Sequence, residues 1–118
     1  MSNKRMPMMA RNDVGGSSTI NLKLWMKNIR EGGFGDLNGK PYAVETLKER
    51  LANTDILLLA GGHDAFSQPK DVDNLVKVLP DDKVKRVTFP DYNHLDYQWA
   101  LDAGTLVDPV VYDFLGVT

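Results

Sequence analysis

The sequence predicts an α/β fold: two parallel strands with flanking helices, amounting to less than a complete domain. Three stretches carry the prediction. Ile56-Leu57-Leu58-Leu59-Ala60 is a continuous apolar run stopped by Gly61-Gly62, the pattern of a strand buried on both faces. Val72, Leu75, Val76 and Leu79 form one helical stripe, with Pro69 suited to a first helical turn and Pro80 as a stop. Val84 to Phe89, containing Val84, Val87 and Thr88 and closed by Pro90, is a second strand. Strand, helix and strand within about 35 residues make a βαβ unit, whose crossover is right-handed and whose strands run parallel.

The remaining elements follow from local signals. Met1 to Gly16 holds Pro7, Arg11-Asn12-Asp13 and Gly15-Gly16 without a sustained period, and reads as irregular. From Ser18 or Thr19, both N-cap types, Leu22, Trp25, Met26 and Ile29 recur at helical spacing until Gly32-Gly33. Glycines and Pro41 make the segment Gly32 to Pro41 a loop, and a short helix is expected over Ala43 to Leu51. A last helix is expected over Leu106 to Leu115, with Leu106, Val110, Val111, Phe114 and Leu115 on one side. The division expected is residues 1–54 as an irregular start with a helix and loop, and residues 55–118 as the βαβα segment. There is no internal repeat and no low-complexity tract.

Composition removes several function classes. A formal net charge of -2 over 118 residues gives no field that draws nucleic acid or an anionic membrane, so no nucleic-acid partner is expected. The chain has no cysteine, which excludes disulfides, thiolate metal ligands and a thiol nucleophile. No apolar run approaches the roughly 18 residues of a membrane span. Met1 to Asp13 is basic and Met-rich and lacks the apolar centre of a secretory signal. A parallel sheet is covered by helices on both faces, and two strands with a few helices cannot do that for Ile56 to Leu59. Both strands would also carry unpaired edges, so the chain is expected to be an incomplete folding unit.

Sites on open α/β sheets form at the carboxyl ends of the strands, and both polar clusters of this sequence fall there. The first strand runs into Gly61-Gly62-His63-Asp64, where the glycines are expected to permit a sharp turn. The second runs into Pro90-Asp91-Tyr92-Asn93-His94-Leu95-Asp96. An acid and a histidine on loops after adjacent strands can act together, the carboxylate fixing the imidazole's tautomer and stabilising the imidazolium. Blander readings stand beside this one. Asp64 is also a common strand-end turn residue, His63 reads as a solvated neighbour, and Asp96 either orients the loop around His94 or caps the next helix. Tyr92, Tyr97 and Trp99 read as core before acyl-site lining.

Residues Ile56 to Asp73, ILLLAGGHDAFSQPKDVD, and Tyr92 to Ala103, YNHLDYQWALDA, resemble the acid lipases, the gastric, lysosomal and plant triacylglycerol lipase family of the α/β-hydrolase superfamily. The first resembles that family's strand, Gly-Gly-x-Asp turn and Asp-Val helix, and the second its segment around the catalytic histidine. Gly16 to Trp25 is more loosely similar to the family's cap-region helix. The resemblance covers the carboxyl-terminal portion of such an enzyme. It implies an α/β-hydrolase fold, with Asp64 as triad acid and His94 as triad base. It further implies a lipid ester substrate, no cofactor, no metal, and a secreted or lysosomal compartment.

One part of the family pattern is missing, because no G-x-S-x-G occurs in these 118 residues. The nearest approach, Gly15-Gly16-Ser17-Ser18-Thr19, has no buried strand before it, and Ser2, Ser18 and Ser67 lack an elbow as well. The expectation is a portion of a carboxylic-ester hydrolase whose serine lies in missing upstream sequence. Two alternatives remain: a non-catalytic truncated hydrolase-like protein, and a metal-dependent hydrolase with His63, Asp64, His94 and Asp96 as ligands.

Overall fold

The computed structural model describes residues 6–13, 15–33, 35–38 and 40–117. Along the chain lie α1 (Met6–Asp13), α2 (Thr19–Glu31), α3 (Val44–Leu51), β1 (Ile56–Gly61), α4 (Pro69–Val78), β2 (Val84–Phe89), α5 (Asp96–Trp99), α6 (Ala103–Leu106) and α7 (Asp108–Leu115). β1 and β2 pair in parallel from Ile56 opposite Val84 to Gly61 opposite Phe89. Both strands therefore end level with one another. The α/β reading holds in this form: helices around two parallel strands.

The crossover helix α4 forms as its sequence dictates. Pro69 occupies the first turn, Asp71 and Lys77 match the dipole at either end, and Val72 is buried with Leu75 and Val76 half-buried beside it. Leu79 is extended and buried, which ends the helix and starts the return to β2. The main core lies beyond the carboxyl ends of the strands, where Phe89, Tyr92, Ala103 and Val107 are buried together. Leu59, Val87, Tyr97, Ala100, Val110 and Val111 pack around them. Phe89 stacks on Tyr92 at a centroid separation of 5.0 Å, and Tyr97 meets both rings edge-on. The core reading of Tyr92 thus holds, and Tyr97 packs beside it.

Three expectations change. Met6–Asp13 is the helix α1 and not irregular chain: Pro7 falls in its first turn, where a missing N–H is tolerated, and Met8 and Arg11 favour helix. The expected last helix is two helices broken at Val107. Pro109 has no N–H to continue a helical ladder from α6, so a new helix begins around it. The buried face shifts with the break: Ala103 and Val107 are buried while Leu106 is 47% exposed.

The third change concerns α2, whose limits agree with the sequence. The Ser18 hydroxyl accepts from the Asn21 amide at 3.1 Å, and Gly32 ends the helix at φ 68°, a left-handed conformation that suits glycine. The expected apolar stripe is nevertheless uncovered, and Leu22, Trp25, Met26 and Ile29 are all at least 50% exposed. What holds α2 to its following loop is polar. The Lys27 ammonium donates to the Asp36 and Leu37 carbonyls, and the Gly35 amide donates to the Asn28 side chain.

β1 is also less covered than its sequence asks. Only Ala60 and Gly61 are buried, and Ile56 to Leu59 remain half-buried. Each strand has one edge without a strand partner among the described residues. A dye that fluoresces on apolar surface should therefore bind the 118-residue chain. Substituting Leu22, Met26 and Ile29 with serine should reduce that binding while leaving the far-ultraviolet circular dichroism spectrum in place; unchanged binding would locate the apolar surface elsewhere.

Candidate active site

The level ends of β1 and β2 put their following loops side by side, and backbone hydrogen bonds join them. The Gly62 amide donates to the Phe89 carbonyl at 2.9 Å, and the His63 amide donates to the Tyr92 carbonyl at 3.0 Å. This close approach is the reason for Gly61-Gly62. Neither glycine has a positive φ, so the turn itself does not require them, contrary to the expectation from sequence. A Cβ on Gly61 would lie 2.5 Å from the Tyr92 carbonyl oxygen, and one on Gly62 would lie 2.2 Å from that of Pro90. Both obstacles are backbone, which cannot rotate aside.

The junction brings together Asp64 and His94, 30 positions apart in sequence, with Asp64 Oδ2 at 3.0 Å from His94 Nδ1. The two carboxylate oxygens have separate partners. Oδ1 accepts from the backbone amides of Phe66 and Ser67, each at 2.8 Å, leaving Oδ2 for the imidazole. Asp64 is 4% exposed, whereas the His94 side chain is 51% exposed. Burial by itself raises the Asp64 carboxyl, but the Ser67 amide, the His94 ring and the Phe66 amide outweigh it and hold it below the ordinary carboxylate range. An ionised Asp64 accepts only, so neutral His94 carries its proton on Nδ1 and keeps Nε2 as the free base.

The loop carrying His94 is held on both sides. The Tyr92 hydroxyl donates to Asp102 at 2.9 Å, and burial, together with that carboxylate, pushes the phenol up to about 12. Asp96 Oδ2 accepts from the Asn93 amide at 2.8 Å and faces the Asn93 side-chain amide at 3.3 Å. Of the two readings of Asp96, this contact favours the one in which it shapes the loop around His94. The Phe66 ring lies 5.2 Å from the His94 ring, and the two line an open hollow of about 390 Å³ with Trp25. Sequence reasoning passed over Phe66 and Trp25 as neighbours of His94. Phe66 stands two residues after the acid, a signal that was available, whereas only the tertiary arrangement places Trp25 there.

Other expected groups are not assembled. His63 is exposed beside Asp64, and Asp96 is engaged with Asn93. Among the described residues no three His, Asp or Glu side chains converge as a metal site, so the four proposed ligands receive no geometric support. Ser18 caps α2, Ser67 contributes its amide to Asp64, and Ser17 lies exposed before α2. Ser2 lies outside the described residues.

Parallel strands ending in a hydrogen-bonded acid and imidazole are the kind of framework on which α/β hydrolases place catalytic groups. Comparison with known proteins finds lipases among the relatives of this chain. The chain is 30% identical to the lipase lipl-5 of Caenorhabditis elegans over 115 residues, covering 84% of this chain and 28% of that protein. It is 28% identical to lipl-1 of the same organism over 91% of this chain and 29% of the relative. It is 28% identical to human gastric triacylglycerol lipase over 84% of this chain and 27% of the relative. No protein-family model and no solved structure matches. The chain is related in sequence to the lipases over most of its own length, in keeping with its resemblance to the acid-lipase family. It spans between 27% and 29% of the length of these curated relatives.

Two outcomes test the site's construction. Gly62→Ala should cost about 1–3 kcal/mol of stability in a denaturant titration, because the new methyl meets the Pro90 backbone; a neutral change would show that the junction yields easily. The second concerns acid. Folding lowers the Asp64 carboxyl from its ordinary range, so the stability it contributes is present above the unfolded value and is lost as pH falls through the folded one. The stability gap between the native chain and Asp64→Asn, measured by denaturant unfolding, should thus narrow below about pH 4. A gap independent of pH would contradict the lowered carboxyl.

Proposed function

We propose that Asp64 and His94 are the acid and base of a Ser-Asp-His triad in a carboxylic-ester hydrolase acting on triacylglycerols or steryl esters, with the serine supplied by sequence outside these 118 residues. The observation carrying this reading is the 3.0 Å contact between the buried Asp64 carboxylate and the half-exposed His94 ring at paired strand ends. Similarity to lipases over 84% or more of this chain supports a lipid ester as the substrate class. The half-covered β1 side chains, and strand edges without a partner among the described residues, support a segment that completes its sheet with strands from elsewhere in the enzyme.

The chemistry follows from the proton positions. With Nδ1–H held by Asp64, the free Nε2 of His94 takes the serine hydroxyl proton as the serine oxygen attacks the ester carbonyl. The ester C–O bond breaks, and the imidazolium returns that proton to the departing alcohol. Water then repeats the sequence on the acyl-enzyme and releases the fatty acid. Asp64 stays ionised throughout, stabilising the imidazolium and preserving the ring's tautomer. No metal or cofactor takes part in any of these steps.

In a complete enzyme containing this segment, His94→Ala and Asp64→Asn should each lower kcat by about 10⁴-fold in an ester-hydrolysis assay, while His63→Ala changes it little. Damage from His63→Ala with an innocuous His94→Ala would reverse the assignment. The 118-residue chain alone should not react with a serine-directed fluorophosphonate, since none of Ser17, Ser18 and Ser67 stands on a strand-to-helix elbow. Stoichiometric labelling at Ser17 would replace this reading with a compact triad inside the chain.

A further inference from the structure

Among the described residues, the polar side-chain partner of His94 is Asp64. Its ring is hydrogen-bonded to Asp64, flanked by the Phe66 ring and half exposed, so its placement leans on the course of its own backbone. That backbone is clasped from both directions. Asp96 Oδ2 accepts from the Asn93 amide at 2.8 Å, while the Asp96 amide donates to the Asn93 carbonyl at 3.1 Å. Two opposed hydrogen bonds thus close a small ring of chain with His94 and Leu95 inside it. Immediately before the ring, the Tyr92 carbonyl is fixed by the His63 amide, and that amide belongs to the residue preceding Asp64.

We propose that Asp96 is a positioning residue for His94: its carboxylate, acting through the Asn93 amide, sets the loop so that Nδ1 meets Asp64. The relevant property is a correctly placed oxygen acceptor. Negative charge is incidental, because Asp96 bonds a neutral backbone amide and not the imidazole. The inference deepens the proposed esterase reading, in which His94 is the base, yet its test reads the imidazole directly and requires no turnover.

The two histidines make the measurement simple, with His63 as the internal reference. In the intact 118-residue chain labelled with ¹⁵N, long-range imidazole spectra near neutral pH report which ring nitrogen of each histidine carries the proton. His94 in the native chain should show the single Nδ1–H form. Asp96→Asn keeps an oxygen acceptor and removes the charge, so it should retain that form. Asp96→Glu keeps the charge but displaces the acceptor by one methylene, and should give a mixture of tautomers at His94 with His63 unchanged. Asp96→Ala should behave as Asp96→Glu does or more severely, and the Asn and Glu variants decide the matter if the alanine variant fails to fold. Retention in Asp96→Glu with loss in Asp96→Asn would make charge the operative property and overturn the proposal, as would a native spectrum in both Asp96→Glu and Asp96→Ala. A complete enzyme indifferent to His94→Ala would remove the esterase reading and leave this result standing.

Discussion

Everything at the site depends on two backbone hydrogen bonds, from the Gly62 amide to the Phe89 carbonyl and from the His63 amide to the Tyr92 carbonyl. They prolong the parallel pairing of β1 and β2 beyond the last residues of the strands. An individual backbone bond contributes only about 0.5–1.5 kcal/mol net, so their importance is geometric. They force the two loops to advance together for a further turn of chain, and the acid and the imidazole come within reach as a result. The absence of side chains at Gly61 and Gly62 is the condition for this, since a methyl at either position would meet the facing backbone before those bonds could form.

Burying Asp64 is permissible because its charge is met from several sides. A carboxylate taken out of water without partners would protonate instead, and desolvation does push this one in that direction. Two backbone amides on one oxygen and an imidazole on the other reverse the balance. The amides also do what a mobile side chain could not: they come from the loop's own turn, over Phe66 and Ser67, so the acid is held by the structure it initiates. Tyr92 shows the same economy. Its ring is part of the core against Phe89, while its hydroxyl reaches out of that core to Asp102.

The strands, the crossover helix and the acid–histidine pair were legible because each has a local cause. Ile56 to Ala60 is a short apolar run closed by glycines, which marks a strand, the Val72 to Leu79 stripe has one period, and both clusters fall at strand ends. What was not legible depended on contacts beyond the local pattern. The stripe on α2 has the right period, but periodicity states only what a helix would bury and not whether a partner is present. The role of Gly61-Gly62 was misread because a glycine pair at a strand end signals a turn, whereas close approach of a distant segment leaves no local mark. The break at Val107 could have been foreseen from Pro109, which was outweighed by the apolar spacing around it.

The register of the sheet has a consequence for how such a site can change over time. Gly61 and Phe89 are partners in the ladder, so the separation of the acid and histidine loops is a lateral distance across one strand pair. The chain that joins them, α4 and its turns, passes over the sheet and returns without touching that distance. Residues gained or lost in the turn between Leu79 and Lys83 would alter the count from Asp64 to His94 and leave their approach untouched, given that loop closure costs so little per added residue. Kinship to this segment is therefore written in two short strings with an elastic interval, and a fixed spacing between acid and histidine is the feature that divergence is freest to erase.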